Sequence, residues 1–199
     1  MAVSIILAHP NKASFNHAIA QTAASTLRRN GYAVNFHDLY DEKFDPLMPT
    51  AELGKDLSTD PLVRQHCEEI ASAEGIIIVH PNWWGQPPAI LKGWIDRVLR
   101  QGIAYEFRAG DNGEGVPVGL LKAQSAIVFN TSNTPADREM QAFGDPLDNL
   151  WKRCVLEFCG VKHVHRTNYS VVIISTLPQR QMWLADVAET VNRIYPRRV

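Results

Sequence analysis

Three short polar stretches carry the side chains whose types suit chemistry. In His9-Pro10-Asn11-Lys12-Ala13-Ser14-Phe15-Asn16 an imidazole, a hydroxyl and an amide precede an alanine-rich helical pattern. The free N–H groups and dipole of a helix N-terminus favour an anion. With Ser14, Asn16 and His9 as added donors, this is a phosphate site built without glycines. The alternative is that Ser14 only caps the helix. In His80-Pro81-Asn82-Trp83-Trp84-Gly85-Gln86-Pro87-Pro88, two adjacent indoles stand on a backbone stiffened by prolines. One of Trp83 and Trp84 is expected to fill the core and the other to face a flat ligand or a partner. Thr131-Ser132-Asn133-Thr134 offers hydroxyl and amide groups suited to the rim of a heteroaromatic ring, with a plain turn as its alternative.

The elements that would position these stretches follow from hydrophobic pattern. Val3 to Ala8 is a continuous apolar run, as in a strand buried on both faces. A helix over Phe15 to Arg29 ends at Asn30-Gly31, and Ala33 to Leu39 reads as the second strand. Tyr40 to Thr59, with Pro46 and Pro49 and no period, reads as a long surface excursion. Pro61 opens a helix reaching Ala73, and Gly75 to His80 is the third strand. Ile90, Leu91, Trp94, Ile95, Val98 and Leu99 recur at the steps of an amphipathic helix. Ile103 to Phe107 reads as a short extended piece, and Gly110 to Gly115 as a hairpin or mobile loop. Ala126 to Asn130 is the fourth strand, and Thr131 to Arg138 a polar loop. Leu147 to Phe158 reads as a helix stopped by Gly160. Val161 to His165 with Val171 to Ile174 supply the last strand, before a helix over Gln179 to Ile194.

Strands alternating with helices imply a mostly parallel, right-handed sheet. Five strands in one domain, residues 1–199, suit an α/β three-layer, flavodoxin-like fold with strand order 2-1-3-4-5 and helices on both faces. In such a sheet, ligands sit beyond the carboxyl ends of the strands, where the three polar stretches meet. No GxGxxG or Walker A loop is present. Phosphate donors, an aromatic wall and ring-edge polar groups at three strand ends describe a flavin site.

The remaining residues offer little chemistry. His37, His66, His163 and His165 lack partners at metal-ligand spacing, so no metal is expected, although His163 and His165 could share a strand face. No Ser/His/Asp or Cys/His set can be assembled. Cys67, Cys154 and Cys159 form no CxxC pair and suit reduced thiols in a cytoplasm. With 20 basic and 21 acidic residues spread evenly, the net charge of −1 leaves no footprint for nucleic acid or an anionic membrane. A signal peptide and a membrane-spanning run are not expected.

Two longer motifs carry a resemblance. Leu7-Ala8-His9-Pro10 with Ser14-Phe15-Asn16, and Pro88-Ala89-Ile90-Leu91-Lys92-Gly93-Trp94 with Arg97-Val98, resemble the flavodoxin-like NAD(P)H:quinone oxidoreductases, the family of DT-diaphorase and its shorter bacterial relatives. Glu157-Phe158-Cys159-Gly160 extends the likeness over nearly the whole chain. The resemblance implies a homodimer with FAD or FMN at its interface and a ping-pong transfer of hydride from NAD(P)H to a quinone. It implies that His9, Ser14, Phe15, Asn16 and Ala18 hold the flavin phosphates. Pro81, Asn82, Trp83, Trp84 and Gly85 would line the ring, with Thr131, Ser132 and Asn133 at its edge. Tyr105 would orient the acceptor in a substrate pocket shared with Phe107. Two departures stand out: the family's Thr-Thr-Gly-Gly loop is replaced at Thr131 to Thr134, and its following tyrosine and histidine are not recognisable in Pro135 to Gly144.

The expectation is therefore a cytoplasmic NAD(P)H dehydrogenase reducing quinones or similar flat electrophiles, the cofactor supplying the hydride chemistry. Its rivals are a flavin-bearing ancillary subunit of a potassium efflux transporter and a one-electron carrier. The near-neutral charge argues against the carrier, since such proteins steer to partners by strong acidity.

Overall fold

The computed structural model describes residues 2–54, 58–109 and 115–198. Its centre is a five-stranded parallel sheet of β1 (Ala2–Leu7), β2 (Ala33–Asp38), β3 (Gly75–Pro81), β6 (Ser125–Ser132) and β7 (His163–Ser170), ordered β2-β1-β3-β6-β7. Counting only these strands, the order is the 2-1-3-4-5 expected. Between β3 and β6 stands an antiparallel hairpin of β4 (Tyr105–Arg108) and β5 (Val116–Gly119). The glycine-rich segment read as its turn lies, except for Gly115, outside the described residues.

Side-chain alternation along the strands divides the core in two. Ile6, Ile76, Ile78 and Val128 face α2 (Pro61–Ser72), α3 (Ala89–Val98) and the helix carrying Trp151. Ile5, Leu7, Ile77, Val79 and Phe129 face α1 (Phe15–Arg29) and α6 (Leu177–Ile194). Helices on both faces thus bury a sheet whose inner strands are mainly apolar and turn polar at the carboxyl ends of β3 and β6, giving the three layers. Among the described residues no helix is long and apolar enough to cross a membrane.

Several sequence expectations are corrected. Residues 40–54 are not a loose surface excursion: Phe44 and Glu52 are buried, and the buried Arg97 of α3 donates to both Glu52 carboxylate oxygens, at 2.9 and 2.6 Å, and to the Asp45 carbonyl at 2.7 Å. The loop after β6 is short, because Thr131 and Ser132 remain in the strand and α4 (Ala136–Phe143) follows. Leu147 to Phe158 is not one regular α-helix. A short turn, α5 (Pro146–Asn149), runs into a wider stretch of i→i+5 hydrogen bonds over Leu150–Glu157. The last strand is His163–Ser170, while Val172–Ile174 form a 3-10 turn.

Candidate active site

The carboxyl ends of β1, β3 and β6 deliver the three polar stretches to one cavity of about 800 Å³. His9, Ser14, Phe15, Asn16, Pro81, Asn82, Trp83, Trp84, Gly85, Thr131, Ser132 and Asn133 all line it. Ala18, deeper in α1, does not. Tyr105 and Phe107 do not line it either. Their hairpin is rooted where the chain enters β6 and β7, with Leu121 N–H bonded to the Cys159 carbonyl. That is the amino end of these strands, opposite the carboxyl ends that open on the cavity, and Tyr105 packs on Phe158 at 5.1 Å between centroids.

At the start of α1, Ser14 caps the helix and also lines the cavity. Its Oγ accepts from the His17 backbone N–H at 3.3 Å. The Asn11 carboxamide accepts from Ala13 N–H at 2.9 Å, and His9 Nδ1 accepts from Asn11 N–H at 3.1 Å. The donor edge of a neutral His9 is therefore its Nε2, and burial holds its pKa below the usual value. Asn16 is 3% exposed and donates through Nδ2 to Thr131 Oγ1 at 3.0 Å. Among the described residues its buried Oδ1 finds no partner, and a buried polar group left so calls for one.

The structure also assembles a Ser/His/Asp set that the sequence reading missed. Ser14 Oγ lies 2.9 Å from His17 Nδ1, and His17 Nε2 lies 2.9 Å from Asp38 Oδ2. The signal was present: His17 is the third helical residue after the Ser14 cap, the position whose side chain reaches back to a cap. Asp38 ends β2, beside the end of β1.

The aromatic loop is a tight hairpin. Trp83 and Gln86 exchange both backbone hydrogen bonds at 3.0 Å, with Trp84 at φ 58° and Gly85 at φ 70° between them. Two positive φ values in a two-residue loop make a type I′ turn. Asn82 braces it, accepting from Gly85 N–H at 2.9 Å and donating to Glu139 at 3.0 Å. The expectation of one core tryptophan is overturned. Trp83 is 42% exposed and Trp84 fully exposed, because the turn throws the second indole away from the strand. A left-handed tryptophan is strained, and such strain gathers at binding sites.

Behind this loop, His80 is fully buried at the end of β3. Trp151 donates to its Nε2 at 2.8 Å, so Nδ1 carries the proton and donates to the Pro81 carbonyl at 2.8 Å. Burial, aided by the Arg166 charge and opposed by the Pro81 bond, holds His80 down at about 4. It is a neutral strut that sets the direction in which the loop leaves the strand. Glu139, Phe143, Pro146, Val172, Ile173 and Arg180 also line the cavity and were not singled out from sequence. Glu139 falls just past the loop read over Thr131 to Arg138, in a stretch assigned to no element, and Val172 and Ile173 fall in the stretch read as strand.

Among the described residues, His37, Glu42 and His66 offer ligand atoms within 4.8 Å of one another, which their sequence spacing had not suggested. The donor chemistry favours protons there. Trp94 Nε1–H donates to His66 Nδ1 at 2.8 Å, so a neutral His66 carries its proton on Nε2, the atom 3.2 Å from Glu42. His37 has a carboxylate on each nitrogen, Glu42 at 2.9 Å and Glu69 at 2.7 Å.

Comparison with known proteins bears on the family and the fold. The family described as having a flavodoxin-like fold matches residues 1–185. The chain is similar to an uncharacterised NAD(P)H oxidoreductase of Haemophilus influenzae, 36% identical over 168 residues that cover 80% of this chain and 79% of that one. It is 33% identical over 178 residues to NAD(P)H dehydrogenase (quinone) 1 of Cavia porcellus, covering 78% of this chain and 63% of that one. Among solved structures, Smu.1420 from Streptococcus mutans superposes with a TM-score of 0.84 at 30% identity, covering 97% of this chain and all of that one.

Proposed function

Since the chain belongs to the flavodoxin-like-fold family of NAD(P)H oxidoreductases, we propose that it is an NAD(P)H:quinone oxidoreductase working with a flavin held in the cavity beyond β1, β3 and β6. The observation that carries this reading is the buried, unpartnered Asn16 Oδ1 beside a helix N-terminus in a cavity with an aromatic wall. A flavin offers ribityl hydroxyls and phosphate on one side and a flat ring on the other, matching both. Either FMN or FAD satisfies that donor set.

When bound, the flavin supplies the hydride chemistry between NAD(P)H and the quinone. The chain's residues bind and orient. Ser14, His9 and the first N–H groups of α1 hold the phosphate; Pro81 to Gly85 form the wall beside the ring; Thr131, Ser132 and Asn133 meet its polar edge. Trp84, Phe143 and Ile173 line the mouth while exposed, followed along the chain by exposed Ile174, Leu177 and Met182. Apolar rims of this kind favour a partner surface, here a second copy closing the site and excluding water. Tyr105 and Phe107, remote from their own chain's cavity, would serve as the acceptor pocket only from that second copy.

The visible spectrum of the purified protein, with identification of any released chromophore, tests the cofactor. NAD(P)H oxidation with and without an added quinone tests the activity. A colourless protein that takes up neither FMN nor FAD ends this reading.

A further inference from the structure

Ser14, His17 and Asp38 link two clefts. Ser14 lines the main cavity, whereas His17 and Asp38 line a second cleft of about 390 Å³ together with Lys12, Asp41 and Glu42. We infer that His17 sets the direction of the Ser14 hydroxyl and so tunes affinity for the phosphate end of the cofactor with pH. This rests on the flavin reading above.

The argument is one of donors and acceptors. Asp38 is anchored, its Oδ1 accepting from the N–H groups of Tyr40 at 3.2 Å and Asp41 at 3.3 Å. Its Oδ2, a carboxylate acceptor, requires a proton on His17 Nε2. With His17 neutral, Nδ1 is a bare acceptor, and the Ser14 O–H donates to it across the 2.9 Å contact. The Ser14 oxygen is already accepting from His17 N–H, so its single hydrogen is turned away from the main cavity. Protonation reverses the contact. Nδ1–H then donates to Ser14 Oγ, and the Ser14 hydrogen is released toward the cavity beside a new positive charge.

Both changes favour an anion at the start of α1. Affinity for a phosphate-bearing ligand is therefore higher with His17 protonated than with His17 neutral. Among the described residues, few other charges face this ring. His9 stands edge-on with centroids 6.3 Å apart. The exposed Lys12–Asp41 pair and Glu42 belong to the second cleft. His9 titrates in its own right, so the contribution of His17 has to be read as a difference between variants.

The test measures Kd for FMN and for riboflavin, which has the ring but no phosphate, between about pH 5.5 and 8. The His17 parent and His17→Phe are compared in a His9→Asn background, because the His17 charge acts on His9, and the ratio of their Kd values cancels the titration of the FMN phosphate. For FMN the ratio of variant to parent is expected to rise roughly three- to tenfold from the alkaline to the acidic end. At the alkaline end the variant binds at least as tightly as the parent, its Ser14 hydroxyl being free. For riboflavin the ratio stays flat. Asp38→Asn, which keeps the ring but removes the carboxylate facing Nε2, shrinks the FMN rise. A flat FMN ratio, or an equal rise with riboflavin, overturns the inference while leaving flavin binding intact. Failure of every flavin to bind removes the reading beneath it and the inference with it.

Discussion

Asn16 Nδ2 donates to Thr131 Oγ1 at 3.0 Å, joining two residues 115 positions apart at the floor of the cavity. This bond fixes the amide orientation and leaves Asn16 Oδ1 facing away, buried and unpartnered. Asn16→Leu removes both groups and is expected to weaken flavin binding about tenfold, the worth of one buried hydrogen bond. Fluorescence titration with FMN measures it, and unchanged affinity would remove Asn16 from the site.

Trp84 should separate stability from function. It is fully exposed and held at φ 58°, so Trp84→Gly relieves backbone strain and loses no core packing. The melting temperature of the flavin-free protein is expected to hold or rise, corresponding to about 1 kcal/mol at most, while flavin retention falls. A melting temperature several degrees lower would mean that the indole is packed after all.

Glu42 and His37 predict a stability optimum in mildly acidic solution. Burial alone would raise the Glu42 pKa, but the bonds and charges of His37 and His66 outweigh it and hold Glu42 at about 2. For His37 burial pulls downward, and Glu42 and Glu69 outweigh it upward. The Glu42 contribution is complete above its ordinary 4.5 and is lost as pH falls toward 2. That of His37 is complete below its ordinary 6.5 and is lost as pH rises through its elevated value. Urea unfolding should show Glu42→Gln costing on the order of 2 kcal/mol near pH 5.5 and much less near pH 2. A pH-independent difference would show that the cluster carries no charge coupling.

Trp151→Phe keeps the ring volume close but removes the donor to His80 Nε2. A fully buried acceptor is then left unpaired, which costs about 1–3 kcal/mol. The loss should appear in urea unfolding, together with weaker flavin binding as Pro81 and the turn beyond it loosen. Equal stability of variant and wild type would mean that the His80 strut bears no load.

Gly93→Ala tests a close approach. Alanine is the better helix former by about 1 kcal/mol, so propensity alone forecasts a gain. In the fold, a Cβ at position 93 would lie 2.2 Å from the Pro46 carbonyl oxygen. The segment that supplies Phe44 and Glu52 would be pushed off α3. Thermal unfolding is expected to show a net loss, and a stabilised variant would contradict the packing of residues 40–54.

Legibility from sequence followed the range of the interactions. The apolar runs of β1 and β3 and the Ser14 helix start are set by local pattern, and the parallel order follows from their alternation with helices. Short sequence distances also placed Ser14, Asn16, Trp84 and Thr131 at strand ends, and all line one cavity. The α4 helix was hidden because Ala136 to Phe143 is only eight residues long, too short a window for a helical period to stand out. Tyr40 to Thr59 reads as a surface excursion because the anchor of residues 40–54 is Arg97, 45 residues beyond Glu52.

What the chain alone determines is which residues become strands, helices and polar ends, since period, caps and breakers act within a turn or two. Folding decides the pairings that no local rule contains. The Trp151 donor selects the His80 tautomer, Asp38 selects that of His17, and Thr131 orients Asn16. Trp84 points outward because two positive φ values close its turn, a conformation that side-chain size alone would not forecast. Each of these depends on a partner brought close by the sheet, because a hydrogen bond is decided by angstroms between groups far apart in sequence.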